Sequence, residues 1–189
     1  MINLKDSLAR GYAGLFSRSL QKKKTNMKEI LEQFAAYNIW ANQKMSELVQ
    51  SLPDEMLHTT LPSSFPTLHA TLLHMWDAES IWWQRMKLQE VIIAPSSSFV
   101  GTTLDVSTSL LQQNKLWETW VRNASIAALE HVFMYQNTMR EQFKQPIYQM
   151  VLHVFNHGTY HRGQLVNMLR QSGIENIPQT DFIVWSRKK

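Results

Sequence analysis

The chain has 189 residues, enough for one domain with a sizeable core, and 44% of them are hydrophobic, which excludes a disordered protein. It has no cysteine, which excludes a structural disulfide, a thiolate-held zinc and a cysteine nucleophile together. The net charge of +4 belongs to the N-terminus, where residues 1–28 carry 7 Lys and Arg against one Asp; the rest carries 12 basic and 14 acidic residues, so the body lacks the positive excess that grips phosphates, and no specific nucleic-acid partner is expected.

Residues 1–25 form a basic stretch ending in a lysine run. Three readings fit it: an amphipathic segment touching a membrane or partner, a transit-peptide-like leader rich in Arg and Ser, or an upstream extension or loosely docked arm. The last is preferred, with the domain itself spanning residues 26–189. The stretch lacks the apolar region of a secretory signal. No apolar run approaches the ~20 residues of a transmembrane helix.

Asn26 is a plausible N-cap, with Glu29 three residues on as in a capping box. From Met27 the apolar residues recur at Ile30, Phe34, Tyr37, Ala41, Met45 and Leu48, the helical period, until Ser51 to Pro53 ends the helix. Residues 51–66 hold three prolines and read as a connection, with a helical turn near Asp54 to Leu57. A second helix runs from Pro66 and Thr67 to about Gln89, with one stripe through Leu68, Leu72, Met75, Glu79, Trp82 and Met86. His74 lies on or beside that buried face. Trp82 and Trp83 are adjacent and cannot both face one core, so one is expected at a helix boundary or against a second subunit. Residues 94–103 read as a loop. A third helix covers about Leu104 to Asn123, and Ser125 to Glu130 adds a turn. His131 to Gln145 has little helical period; a short hairpin around Gln136 to Met139 and an irregular crossover both fit.

The fourth helix, Pro146 to Arg170, carries the most information. Pro146 suits the first helical position and Gly173 a left-handed C-terminal cap. His153, His157 and His161 follow one another at steps of four, so their imidazoles share one stripe. Two imidazoles one turn apart can chelate a divalent metal, as those of H-E-x-x-H do, and a third ligand must then come from elsewhere. His74 is the candidate. A lone histidine on such a face is more often a hydrogen-bonded core residue; a set in register, in a chain with 7 histidines, is harder to explain so. Gly158 and Gly163 interrupt the same helix at about 1 kcal/mol each relative to alanine, which suggests close approach by a helix or ligand. After Gly173 the tail is short, and Asp181 to Trp185 is apolar enough to dock on the bundle. With no phosphate loop, G-x-S-x-G or paired E-x-x-H motif, the fold class expected is all-α: a four-helix bundle with one long crossover connection and a metal site between helices.

Three segments, YNIWAN at 37–42, LLHMWDAESIWW at 72–83 and LHVFNHGTYHRGQL at 152–165, resemble the DinB/YfiT-like family, as does the tail IPQTDFIVW at 177–185. The resemblance covers about residues 27–185, and the segment ending H-R-G-Q is its most specific part. It implies a four-helix bundle, often dimeric, with one divalent metal held by three histidines, one from the second helix and two from the fourth. Those positions here are His74, His157 and His161. His153 is not a usual ligand position. Some thiol-dependent relatives carry Glu where this chain has His157, so its all-histidine set is more similar to the stress-induced and bacillithiol-transferase-like branches. Their activities differ, so the resemblance implies the site better than the reaction.

Three neutral imidazoles leave a metal its full charge and at least one open position, the form of catalytic zinc sites. The metal expected is zinc or nickel. With no cysteine, sulfur chemistry requires a small-molecule substrate or low-molecular-weight thiol. The leading expectation is a thiol S-transferase or hydrolase acting on small electrophiles in stress or detoxification; the alternatives are a non-catalytic metal-binding stress protein and an arm-mediated membrane or nucleic-acid association. Asp77 reads as a general base, a carboxylate orienting a ligand or an exposed charge. Arg162 and Gln164 read as positioning substrate or holding the helix, and Tyr160 and Asn156 as facing other helices. Seven tryptophans exceed what one bundle core readily encloses, which points to a homodimer. A cytoplasmic location fits the absence of cysteine.

Overall fold

The computed structural model describes residues 26–187 apart from Thr138, so the arm of residues 1–25 lies outside the described residues. Four long helices dominate: α1 (Met27–Gln50), α3 (Leu68–Met86), α4 (Thr103–Asn123) and α6 (Ile147–Gln171). Short helices α2 (Asp54–His58), α5 (Ile126–Glu130) and α7 (Phe182–Ser186) fill the connections and tail. Strands β1 (Val132–Gln136) and β2 (Gln142–Pro146) form an antiparallel hairpin, so that of the two readings of residues 131–145 the hairpin holds. Polar caps set several helix starts. Asn26 accepts from the Glu29 amide, Thr67 from Ala70, and Thr102 and Asp105 form a reciprocal capping box. Pro146 ends β2 and sits just before α6 rather than inside it, and Gly173 takes φ +81° after the helix, the left-handed conformation expected there.

Around the bundle the order is α1, α4, α3, α6, each packing on its two neighbours. The core has two apolar halves. One gathers Leu31, Ala35, Trp117, Val121, Val151 and Phe155 with Leu129 of α5 and Phe133 of β1. The other gathers Met45, Val49, Leu72, Met75, Val106, Leu110, Leu165 and Met168 with Leu57 of α2. The halves give the helix directions. Helices α1 and α6 run from the first half to the second, whereas α3 and α4 run from the second to the first. Consecutive helices α3 and α4 are therefore parallel, and residues 87–102 must travel back along the bundle. That segment is the long crossover. It leaves α3 through Leu88 at φ +53°, ending the helix before the expected Gln89, and Phe99 packs edge-on against Trp76 on the way back. The 131–145 segment is not the crossover, because it joins helix ends in the same half.

A polar layer separates the halves. Asn38 donates to Glu79 Oε1 at 3.0 Å, Asn114 to Glu79 Oε2 at 2.6 Å, and Asn42 to Asn114 Oδ1 at 2.8 Å. Arg162 Nη1 donates to Asn38 Oδ1 and Asn42 Oδ1, both at 2.8 Å, and Nη2 to Thr159 at 2.8 Å. All four long helices contribute, and every member except Thr159 is buried. The layer explains Gly158 but not Gly163. A Cβ on Gly158 would stand 2.9 Å from Asn38 Oδ1 and 3.2 Å from Arg162 Nη1, whereas one on Gly163 meets nothing within 4 Å. Gly163→Ala is expected to be neutral or to stabilise by up to about 1 kcal/mol, and Gly158→Ala to destabilise by about 1–3 kcal/mol. Denaturant melts of the two variants check this; a loss at Gly163 or none at Gly158 would contradict the packing.

The tryptophans are not the exposed apolar surface. Trp83 packs edge-to-face on Trp117 at 5.0 Å, whereas Trp82 meets Tyr135 of the hairpin at 5.0 Å, so the adjacent pair divides between α4 and the hairpin. Trp185 docks on Tyr37 beside Phe182, as the apolar tail suggests. The large exposed apolar residues are instead Val100, Leu88 and Val91 in loops, Met134 and Met139 in the hairpin, and Leu104, Leu116 and Tyr160 on the long helices. No helix among the described residues is long and apolar enough to cross a membrane.

Candidate metal centre

The seam between antiparallel α3 and α6 brings His74, His157 and His161 together, with one ligand-type nitrogen from each lying within 4.8 Å of the others. The pair on α6 meets because four residues advance a helix by little more than one turn. Their Nε2 atoms are 3.0 Å apart. The His74 ring centroid is 4.6 Å from that of His161 and 5.2 Å from that of His157. Nitrogens sharing a zinc ion at ~2.0–2.1 Å stand roughly 3.3 Å apart, so the α6 pair already has nearly that spacing, and His74 presents a nitrogen within 4.8 Å of both.

The surroundings keep the three imidazoles neutral. Burial, and then the neighbouring His161, push His74 down to about 4, with Asp77 opposing. Burial and then His161, His74 and His153 push His157 to about 4. Burial also lowers His161, against the Gln164 hydrogen bond. Neutral nitrogens at ordinary pH are what a metal needs from its ligands. Gln164 answers for orientation. Its Oε1 lies 2.7 Å from His161 Nδ1, so Nδ1–H donates and the Nε2 lone pair faces the other two rings; the amide NH₂ lies 3.3 Å from the Tyr160 hydroxyl and 3.5 Å from that of Ser64. Phe65 stacks on the His74 ring at 3.9 Å and shields one side.

Other candidates fall elsewhere. Asp77 accepts from the Ser96 amide at 2.8 Å and makes no hydrogen bond to the triad, so it pins the crossover to α3. Arg162, next to His161 in sequence, points about 100° away into the polar layer. There it fixes the rotation of α6 that turns His157 and His161 toward α3. Tyr160 is 62% exposed and Asn156 is exposed, so neither is covered by another helix. Asn156 lines a groove of about 640 Å³ with α1 and the C-terminal segment. His153 is exposed, its ring 5.7 Å from that of His157 and 5.1 Å from Trp82, and it is not one of the converging three. The polar layer and Gln164's partner were not evident from sequence; Glu79 on the Leu68–Leu72–Met75 stripe was the one visible sign of a charge in the core.

The fold and this seam define an all-α bundle protein with three convergent imidazoles able to hold one metal ion. The sequence model of the DinB family matches residues 23–187, and Protein DinB of Bacillus subtilis (strain 168) is 28% identical over 160 residues, 77% of this chain and 87% of that protein. The chain belongs to the DinB family.

Proposed function

We propose that the protein binds one divalent ion, zinc or nickel, through His74, His157 and His161, and acts as a thiol S-transferase or hydrolase on small electrophiles in a stress or detoxification setting. The observation that carries this reading is the convergence of three neutral nitrogens at a helix seam with no carboxylate among them. Such an ion, when bound, keeps its positive charge and lowers the pKa of a thiol or water that joins it. The chain's own residues do the remaining work. Gln164 holds the His161 tautomer, Phe65 limits water on the His74 side, and Tyr160, with its hydroxyl near Gln164, borders the approach from solvent. The chain has no thiol of its own, so sulfur arrives on a co-substrate.

Metal analysis of the native protein, followed by thiol consumption with a panel of electrophiles, tests the proposal. One equivalent of metal with metal-dependent turnover supports it. One equivalent with no turnover of any thiol or water acceptor supports the non-catalytic stress protein instead. Sub-stoichiometric metal after purification without chelator removes the basis of both. We also propose a homodimer, supported by the exposed apolar residues of the loops and hairpin rather than by the tryptophans. Light scattering should give twice the chain mass, unchanged on removing residues 1–25; a monomeric full-length chain would reject it.

A further inference from the structure

Two polar side chains on the α3–α6 seam have no assigned role, Arg85 and His153, and one indole joins them. The Arg85 Cζ lies 4.7 Å from the Trp82 ring centroid and 5.7 Å from that of Tyr135, so the guanidinium is held against two rings. The His153 ring meets the same Trp82 edge-on at 5.1 Å. Arg85 makes no ion pair among the described residues, and its Nε is buried without a hydrogen-bond partner. It also lines a cavity of about 320 Å³ beneath the hairpin, with Gln89, Gln136, Gln142 and Glu90 supplying the polar lining. A cation restrained by aromatic faces loses little freedom when an anion binds its edge. An unpaired, half-buried guanidinium is otherwise an expense to stability. The position is equally informative. Trp82 and Arg85 lie 8 and 11 residues beyond His74, about 12–16 Å along α3. His153 stands one turn before His157 on the facing helix. His74, His153 and Arg85 thus follow one another along the α3–α6 seam, and the cavity opens on Arg85 at its far end, lined by neither His153 nor the triad.

We propose that Arg85 and His153, gathered on Trp82, recognise the carboxylate of the small molecule whose other end the histidine triad engages. The inference rests on the reading of the triad as a substrate-binding metal centre, and it narrows the substrate class to organic acids long enough to span two to three helical turns. Arg85 offers its Nη edge to the carboxylate and His153 an N–H from the side nearer the triad.

The test has two arms on the full-length protein. In the first, the metal is stripped with chelator and the indole N–H of Trp82, assigned with Trp82→Phe, is followed by NMR during titration with succinate or its uncharged diamide. Succinate should shift it saturably and the diamide should not. Arg85→Gln should weaken succinate at least tenfold, about 1.4 kcal/mol, and Arg85→Lys should recover part of the loss, since charge without the planar fork remains. Equal shifts from succinate and diamide, or a succinate response unchanged in Arg85→Gln, would overturn the subsite. In the second arm, cobalt-loaded protein is titrated with glutathione and with 2-mercaptoethanol, reading the thiolate-to-cobalt absorption band. Arg85→Gln should raise half-saturation at least tenfold for glutathione alone. An equal change for both thiols, or none for either, would overturn the link between subsite and triad. If neither thiol gives a band, the thiol reading of the triad fails, and the subsite stands or falls on the succinate arm.

Discussion

His157→Ala protein, saturated with zinc and passed into metal-free buffer, is expected to retain almost no metal, with affinity reduced by more than about 100-fold. Gln164→Ala should lose about 10–100-fold, the range for groups that orient a metal ligand, and the direct ligand must exceed it. His153→Ala should stay close to wild type, because His153 lies beside the converging nitrogens and is not one of them. Competition with a chromophoric chelator gives all three affinities on one scale. The ordering is the test. Equal losses at 153 and 157 would make His153 a ligand and close the open position that a reaction needs. Full retention in His157→Ala would remove the triad altogether. Folding is checked in parallel by far-UV circular dichroism, since His157 is only half-buried and its removal leaves the apolar halves intact.

Arg162→Met should be the most damaging single change in the bundle interior, by about 3–5 kcal/mol, or a Tm lower by roughly 10 °C. The methionine fills similar space, so the loss reports charge and hydrogen bonds rather than a cavity. It leaves Asn38 and Asn42 oxygens without donors and Glu79 without the nearby cation. The pH dependence gives the sign of the charge effect. Burial raises Glu79 to about 7, opposed by the hydrogen bonds from Asn38 and Asn114 and then by Arg162. A carboxyl whose folded pKa lies above its unfolded value binds its proton more tightly when folded. Its contribution is therefore greatest at low pH and declines as pH rises from about 4.5 through 7. Without Arg162 the folded pKa rises further, so Arg162→Met should lose more stability at pH 8 than at pH 5. Denaturant unfolding of chelator-treated protein at both values measures this. Adding Glu79→Gln, which removes the orphaned charge, should return part of the loss at pH 8. A penalty independent of pH, with no recovery in the double variant, would assign the effect to packing alone.

The sequence by itself determined the helices, the tail and the ligand candidates. Apolar spacing marked four long helices, and Asn26, Thr67 and Gly173 marked ends that the structure keeps, because capping is decided by residues within three or four positions of the helix terminus. The α6 histidine pair was legible for the same reason, since a four-residue step has one geometry on a helix. Other features depended on which helix lies beside which. The parallel run of α3 and α4, and with it the crossover at 87–102, is set by the two apolar halves and not by any local signal. Trp82 and Trp83 were expected to need a boundary or a partner, and the hairpin supplies the cover for Trp82. Gly158 and Gly163 looked alike in sequence and differ only because Asn38 and Arg162 approach one of them. His74 could be a ligand only after α3 and α6 were antiparallel neighbours, and Arg162 was separated from the triad by about 100° of helix rotation that buried Asn38 and Asn42 of α1 hold in place. Local periodicity fixes what a residue's own helix does with it, whereas long-range packing alone decides what stands opposite, and each candidate ligand and each buried charge in this protein is a statement about what stands opposite.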